Sequence, residues 1–368
     1  MNKKLLAVAL ATAFAAPAMA DGVQIYGAFD VGVLVRGGNE DAVRDGRDTR
    51  YQLGSGMNGH NFIGFKMSED LGNGMTISGD AQFGFNLDSG DGALSGSNFR
   101  TITSTLALSG DFGTVVAGRT GGARAAWIKK YDPFGGFGVA GQLAVSGGGV
   151  GGGEDYANNV VAWVTPELGL TGLKGLVAYT SRLDAQDSNT QTKVAGTDRL
   201  YALALMYDNG PLSFVLNHEK LSIVGGGQGG NDLRVYTVGG SYDFGMVKLY
   251  ALYDGLTNAG TGYQAGISAP VSEQTTVKLG YATTKVRGGG VNQENECSKV
   301  GAGFTYDMSK RTRFYSDVAM LTQAETGTGC AAAGGINTYG GTHGVAGGTG
   351  FGTGYGQWGF DAGIRHSF

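Results

Sequence analysis

The sequence is poor in cysteine, proline and charge. It has 2 cysteines and 5 prolines in 368 residues, and only 16% of its residues are Asp, Glu, Lys or Arg. Two cysteines are too few for a disulfide-rich scaffold. A formal net charge of −4 excludes the strongly basic surface typical of nucleic-acid binding, so we expect no nucleic-acid partner.

Long apolar runs are missing after residue 20, which argues against membrane-spanning helices. The one such run lies in the opening stretch MNKKLLAVALATAFAAPAMA, after two lysines and before the small residues Ala18 and Ala20. This pattern predicts a signal peptide over residues 1–20 rather than a buried helix, with cleavage after Ala20 and one mature domain over residues 21–368. Loss of Lys3 and Lys4 would move the formal net charge from −4 to −6.

Catalytic and metal-binding motifs are also missing. The sequence has no G-x-S-x-G, no H-E-x-x-H and no Walker lysine, and none of its 4 histidines lies in a recognisable catalytic motif. An enzyme needs such groups for its chemistry. We therefore expect no enzymatic activity, no cofactor and no metal.

Glycine and aromatic residues are abundant, with 70 Gly, 17 Tyr and 17 Phe, which favours many short strands. Apolar and polar residues alternate clearly in VQIYGAFDVGVLVR, where Val23 and Val33 share one face and Asp30 and Arg36 share the other. The same alternation recurs in MTISGDAQFGFNL, which places Asp80 on the polar face. Such segments have one apolar and one water-facing side.

About sixteen segments of this kind follow one another, joined alternately by tight turns and by long polar loops. The last segment, Trp358 to Phe368, alternates up to the final residue. We predict that it pairs with Val23 to Val35 and closes a ring of strands, because closure removes unpaired strand edges.

The sequence resembles the general diffusion porins of the Gram-negative outer membrane, in particular the betaproteobacterial type. The resemblance rests on VQIYGAFDVGV, IGFKMSEDLGNG, LSGDFGTVVAGR, YDPFGG, WVTPELGLTGL and GIRHSF. It implies an all-β fold, a 16-stranded antiparallel transmembrane β-barrel that forms a homotrimer, with the third extracellular loop, about Thr120 to Ala157, folded inward. It further implies a water-filled channel for small hydrophilic solutes and ions, contact with outer-membrane lipids and lipopolysaccharide, and a C-terminal Phe368 read by the outer-membrane barrel assembly machinery.

Charged residues on the third loop and on the polar strand faces are the candidates for a pore constriction. The acidic candidates are Asp30, Asp80, Asp132, Glu154 and Asp155, and the basic ones are Arg36, Lys66, Arg119 and Arg124, with Lys129 and Lys130 as further candidates. Related porins often carry basic residues where this chain has Phe62, Thr76 and Ala162. A depleted basic wall and an acidic net charge predict weak selectivity toward cations.

Two further points stay open in the sequence. Cys297 and Cys330 are assigned to the seventh and eighth long loops, where they form either a disulfide or two free thiols. The rival functions are a substrate-specific outer-membrane channel and a secreted β-rich adhesin.

Overall fold

The computed structural model describes residues 22–37, 49–88, 100–141, 156–180, 199–222, 233–257, 260–287, 294–322 and 358–368. The strands are β1 (Gly22–Gly37), β2 (Thr49–Ser55), β3 (Phe62–Gly72), β4 (Met75–Gly84), β5 (Arg100–Gly110), β6 (Gly113–Gly121), β7 (Tyr156–Val164), β8 (Leu173–Thr180), β9 (Arg199–Asn209), β10 (Leu212–Ser222), β11 (Leu233–Asp243), β12 (Lys248–Leu256), β13 (Gly260–Pro270), β14 (Thr275–Arg287), β15 (Glu294–Asp307), β16 (Thr312–Thr322) and β17 (Trp358–Ser367). A short helix, α1 (Ala123–Lys130), lies between β6 and β7. In the described part of the chain, no helix is long and apolar enough to cross a membrane.

The strands form one closed antiparallel sheet. Closure occurs between β1 and β17, in a register that runs from Ala28 opposite Ser367 to Gly37 opposite Trp358. Beyond this ladder the backbones of Gly27 and Phe368 exchange two hydrogen bonds. The predicted pairing of the two terminal strands is therefore confirmed.

The seventeen strands fill sixteen positions of the barrel, because β2 and β3 share one position. Both pair with the same edge of β1: β2 lies opposite Val31 to Gly37, and β3 lies opposite Gly22 to Ala28. Every other strand pairs with its two neighbours in the sheet. The structure is thus the predicted 16-stranded barrel with one interrupted strand.

The two faces of the barrel wall differ as the alternation predicts. On β1, the outward side chains of Val23, Ile25 and Val33 are 67%, 62% and 53% exposed, whereas the inward Asp30 is fully buried. On β17, Ile364 is exposed and Asp361 is buried. An apolar outer surface of this extent suits hydrocarbon rather than water, the reverse of the polar exterior that a secreted sandwich requires.

The connections also differ between the two ends of the barrel. One end has tight turns, such as Asn73-Gly74 between β3 and β4, where both residues adopt positive φ values of 52° and 74° as a two-residue hairpin turn requires. The long connections lie at the other end. β1 therefore runs from the end with the tight turns to the end with the long connections.

Candidate pore constriction

The first element inside the barrel is an inserted turn, residues 56–61, which separates β2 from β3. It wraps around Asp30 of β1: the Gly56 N–H donates to the Asp30 carbonyl at 2.9 Å, and the Asn58 N–H donates to the Asp30 carboxylate at 2.6 Å. The Asn61 side chain accepts from the Asp30 N–H and donates to the Asp30 carbonyl at 3.1 Å. These bonds replace the strand ladder that the insertion interrupts.

The second element is the loop segment, residues 122–141, whose first half carries α1. Trp127, Ile128 and Tyr131 are buried against inward side chains of the barrel wall. These partners are small or branched apolar residues: Ala107, Val116, Ala157, Val160, Ala162, Leu176, Ala204, Val215 and Leu252. The loop segment therefore lies on the inner face of the wall, held there by apolar contact.

Charged groups fix the start and end of α1. Arg124 donates through its guanidinium to Asp254, with Nε at 2.8 Å from Oδ2, and through its backbone N–H to Glu219 at 2.8 Å. At the other end, the Lys130 ammonium donates to both oxygens of Asp208 at 2.8 and 2.9 Å. Asp254 and Glu219 are buried, so each relies on these partners in place of water.

Polar groups hold the second half of the loop segment. Asp132 caps its own turn by accepting from the N–H groups of Phe134 at 3.0 Å and Gly136 at 2.8 Å. Farther on, the Val139 N–H donates to Asp361 at 2.6 Å, and Lys299 donates to the carbonyl of Gly141. These bonds tie the segment to β15 and β17.

Glycines in the wall let the loop segment approach closely. A Cβ atom at Gly266 would lie 2.5 Å from the ring of Pro133, and one at Gly301 would lie 2.7 Å from the Cβ of Ala140. Both separations are shorter than a Cβ can tolerate. The absence of side chains here is therefore a condition for the observed packing.

The inserted turn and the loop segment meet inside the barrel. The His60 ring lies edge-on to Phe137, with centroids 5.0 Å apart, and its Nε2 is 3.0 Å from the Tyr156 hydroxyl. The Arg119 guanidinium lies 5.1 Å from the centroid of the Tyr156 ring. Met57 of the inserted turn is buried together with Phe134 of the loop segment. Two inward elements therefore form one packed unit.

The predicted constriction residues have different surroundings. Lys66 remains partly exposed, with its ammonium 4.3 Å from the centroid of the Tyr26 ring, and Arg119 donates to the Thr101 carbonyl at 2.8 Å. Arg36 is buried and donates to Gln52 at 3.0 Å.

The acidic candidates among the described residues are buried. Asp80 accepts from the Tyr26 hydroxyl at 2.5 Å, and Asp30 accepts from the Tyr315 hydroxyl at 2.6 Å. Asp132 and the basic Arg124 are buried in the loop segment. Glu154 and Asp155 lie outside the described residues, so their assignment to the constriction stays a prediction.

The remaining predicted sites concern the cysteines and the last residue. Cys297 lies on β15, opposite Thr284 of β14, and not in a loop as the sequence predicted. Cys330 lies outside the described residues, as does the signal peptide, and both predictions stay untested. Phe368 packs against Phe29 with ring centroids 5.4 Å apart, and its role in barrel assembly also stays a prediction.

Several residues of this region were not identified from the sequence. The partners of the loop segment, Glu219, Asp254 and Lys299, occupy inward positions of strands whose alternation is weak, so only the barrel register reveals them. The Gly- and Asn-rich stretch GMNGHN at residues 56–61 was a usable signal of a break in the strand. Among the described residues, no three His, Cys, Asp or Glu side chains are arranged to hold a metal ion.

A closed barrel with an apolar outer face, a polar interior and inward elements that narrow its lumen defines a membrane channel. The family model of Gram-negative porins matches residues 7–326, and the chain belongs to that family. It is accordingly a protein of the Gram-negative outer membrane.

Two curated relatives and two solved structures illustrate the similarity. The chain is 30% identical to outer membrane porin protein 32 of Delftia acidovorans over the full length of both chains, and 28% identical to an outer membrane porin protein of Bordetella pertussis over 86% of this chain and 93% of that one. The anion-selective porin from Comamonas acidovorans matches with a TM-score of 0.73 and 28% identity, covering 95% of this chain and all of that one. OmpF of Salmonella typhi shares the fold, with a TM-score of 0.69 and 16% identity, covering 95% and 98%.

Proposed function

We propose that the barrel is a water-filled pore through which small hydrophilic solutes and ions diffuse, with a weak preference for anions. The observation that carries the preference is the different exposure of acidic and basic side chains inside the barrel. Ion preference in a narrow aqueous pore depends on the charges that reach the water, because buried and paired charges are largely compensated.

The acidic side chains of the interior are mostly buried. Among the described residues, those at most 9% exposed are Asp30, Asp80, Asp132, Glu219, Asp254, Asp317 and Asp361. The partly exposed Asp208 and Asp307 lie near the tight turns and pair with Lys130 and Arg313. Asp70 of β3 and Asp243 of β11 are exposed at inward positions, but they lie at the tight turns. Few carboxylates are therefore left to attract cations from the middle of the lumen.

Basic side chains are better placed to reach the water. Lys130 and Arg365 are partly exposed but lie beside Asp208 and Asp30. The further partly exposed inward bases of the described residues include Lys66, Arg119, Lys129 and Lys174. Their excess favours anions, the opposite of the cation preference that the net charge suggests. Net charge counts buried and surface-loop carboxylates equally with those of the pore, which explains the difference. The Comamonas acidovorans relative is described as anion-selective, which supports the same sign here.

Reconstitution in planar bilayers tests both parts of this proposal. Under a KCl gradient we expect stepwise conductance and a reversal potential of the sign that indicates anion preference. Lys66→Glu should shift that potential toward cation preference, whereas the control Lys285→Glu, which makes the same charge change on an outward position of β14, should leave it unchanged. Absence of conductance would overturn the channel, and a wild-type potential of cation sign would overturn the anion preference alone.

We also propose that the protein is a homotrimer. In the described parts of β1 and β17, the outward positions carry no Lys, Arg, Asp or Glu, so this side of the barrel suits a subunit contact. A structure of OmpT from Vibrio cholerae, which shares the fold, is described as a trimer form. Unheated gel electrophoresis should show a band of three chains that heating converts to one, and a monomer band in both lanes would overturn the proposal.

A further inference from the structure

Lys66 of β3 lies directly opposite Asp80 of β4 on the inner face of the barrel. Side chains at such positions start from Cβ atoms about 5 Å apart, and opposite charges there attract each other. Within the described part of the chain, however, Lys66 and Asp80 form no ion pair, and the Lys66 ammonium lies 4.3 Å from the centroid of the Tyr26 ring instead. Asp80 is only 9% exposed, so other side chains must supply its hydrogen bonds.

Tyr26 supplies the shortest of these hydrogen bonds. Its hydroxyl donates to Asp80 Oδ1 at 2.5 Å, a length typical of a strong bond from a hydroxyl to a carboxylate. Gln82 donates to the second oxygen, Oδ2, at 3.1 Å, and to the Tyr26 hydroxyl at 2.8 Å. Neutral donors therefore hold both oxygens of Asp80, and the carboxylate is satisfied without a cation.

The position of the Tyr26 ring depends on Gly64. Tyr26 of β1, Gly64 of β3 and Gln82 of β4 lie in one row across the sheet. A Cβ atom at Gly64 would lie 2.6 Å from Cε1 of Tyr26, so the ring crosses β3 only where that strand has no side chain. Phe62 and Lys66, two residues to either side of Gly64, contact the ring, with the Phe62 centroid 5.4 Å from that of Tyr26. These neighbours fix the ring in place.

Other interior carboxylates take a lysine or arginine as their partner. Asp254 pairs with Arg124, and Asp208 pairs with Lys130. A base in such a pair is compensated by its carboxylate, whereas a base on an aromatic ring keeps its full positive charge. Lys66 belongs to the second kind because the Tyr26 hydroxyl occupies the nearest carboxylate.

We propose that Tyr26 is a positioning residue that determines part of the ion preference of the pore. Its hydroxyl occupies Asp80 and its ring holds Lys66, so the charge of Lys66 stays available to permeating anions. This inference rests on the proposed channel function. Without the hydroxyl, Asp80 loses its shortest hydrogen bond, and the ammonium of Lys66 directly opposite is the donor that replaces it. The two charges then compensate each other, and anion preference falls although every charged residue is kept.

Reversal potentials of the protein in planar bilayers under a KCl gradient test this role. Tyr26→Phe should shift the potential toward cation preference, in the same direction as Lys66→Gln but by less, because pairing compensates the ammonium without removing it. Tyr250→Phe is the matched control. Tyr250 also carries a lysine on its ring, with Lys248 at 5.1 Å, but its hydroxyl lies 3.0 Å from Ser268 rather than against a carboxylate. This control should keep the wild-type potential.

A second pair of variants shows whether the effect passes through Asp80. Asp80→Asn moves the potential toward anion preference by itself, because it removes a negative charge. Adding Tyr26→Phe to Asp80→Asn should cause no further shift, since no carboxylate remains for Lys66 to pair with. Gly64→Ala, which forces the Tyr26 ring away from Asp80, should shift the potential in the same direction as Tyr26→Phe. Heat-modifiable migration on gels verifies folding of each variant.

An unchanged reversal potential in Tyr26→Phe would overturn the role of Tyr26 and leave the anion preference of the wild type standing. An equal shift from Tyr26→Phe with and without Asp80→Asn would also overturn it, because a change in pore shape acts in both backgrounds. A wild-type potential of cation sign would overturn the anion preference alone, since the shift caused by Tyr26→Phe is measured relative to wild type.

Discussion

The two halves of the loop segment are held inside the barrel by different interactions. Residues 122–131 bury Trp127, Ile128 and Tyr131 against an apolar stretch of the inner wall. Residues 132–141 depend on hydrogen bonds to Asp361 and Lys299 and on close approach to wall glycines. The first half resembles a small protein core, and the second half resembles a polar interface with fixed geometry.

This difference shows that the barrel interior serves two purposes. The apolar stretch of the wall is covered by α1 and so does not face the pore water. The polar stretch receives the turn after α1 and the inserted turn, which together bring His60 and Phe137 into contact. We therefore expect the first half to be sensitive to loss of volume and the second half to be sensitive to charge and to added atoms.

The largest effect is expected from Trp127→Ala. It removes a side chain that is only 2% exposed, and should lower the free energy of unfolding by about 3–5 kcal/mol. Urea unfolding of the refolded barrel in detergent micelles measures this. Trp163→Ala, at an outward position that is 42% exposed, is the control and should cost less than about 1.5 kcal/mol. Similar losses of unfolding free energy in the two variants would show that the packing of α1 against the wall does not stabilise the barrel.

An intermediate effect is expected from Asp30→Asn. Asp30 accepts hydrogen bonds from Tyr315 and Asn58 and lies 3.8 Å from Arg365, so neutralising it should lower the free energy of unfolding by about 1.5–3 kcal/mol.

Asp361→Asn is the matched comparison for Asp30→Asn. Asp361 lies directly opposite Asp317, and an Asn side chain still accepts from the Val139 N–H. Removing one of two opposed carboxylates should leave the free energy of unfolding unchanged or raise it. Thermal unfolding of both variants at pH 7 measures this difference. An equal loss of stability in Asp30→Asn and Asp361→Asn would contradict the partners assigned to the two carboxylates.

A smaller loss than in Trp127→Ala or Asp30→Asn is expected from Gly301→Ala, which should lower the free energy of unfolding by about 1–2 kcal/mol. The added Cβ would lie within 3.0 Å of three atoms of Ala140, so the loop segment must move away from β15 and toward the lumen. Single-channel conductance should therefore fall. In Gly255→Ala the new Cβ meets the hydroxyl end of the flexible Tyr253 side chain, so conductance should stay as in wild type. Unchanged conductance in Gly301→Ala would show that the position of the loop segment does not limit the conductance of the pore.

Local pattern was enough to predict most of the barrel. The alternation in β1, β4 and β17 gave the faces of Asp30, Asp80 and Asp361, because a strand has a period of two whatever surrounds it. The residue types of the turns and loops distinguished the two ends of the barrel. The number of strands implied that β1 pairs with β17. The same pattern was weak in strands such as β7 and β10, where Ala162 and Val215 face inward. Those positions are apolar because α1 covers them, which the sequence of the strand alone does not reveal.

By itself the sequence determined that strands form, which side of the clearest ones faces lipid, and that the first and last pair. Only the tertiary structure decided which charges remain in contact with water. Asp30 on β1 and Arg119 on β6 are both charged. The inserted turn buries Asp30, whereas Arg119 stays partly exposed beside Tyr156. Exposure depends on segments that are distant in sequence and packed across the lumen, and net charge and strand parity contain no information about that packing.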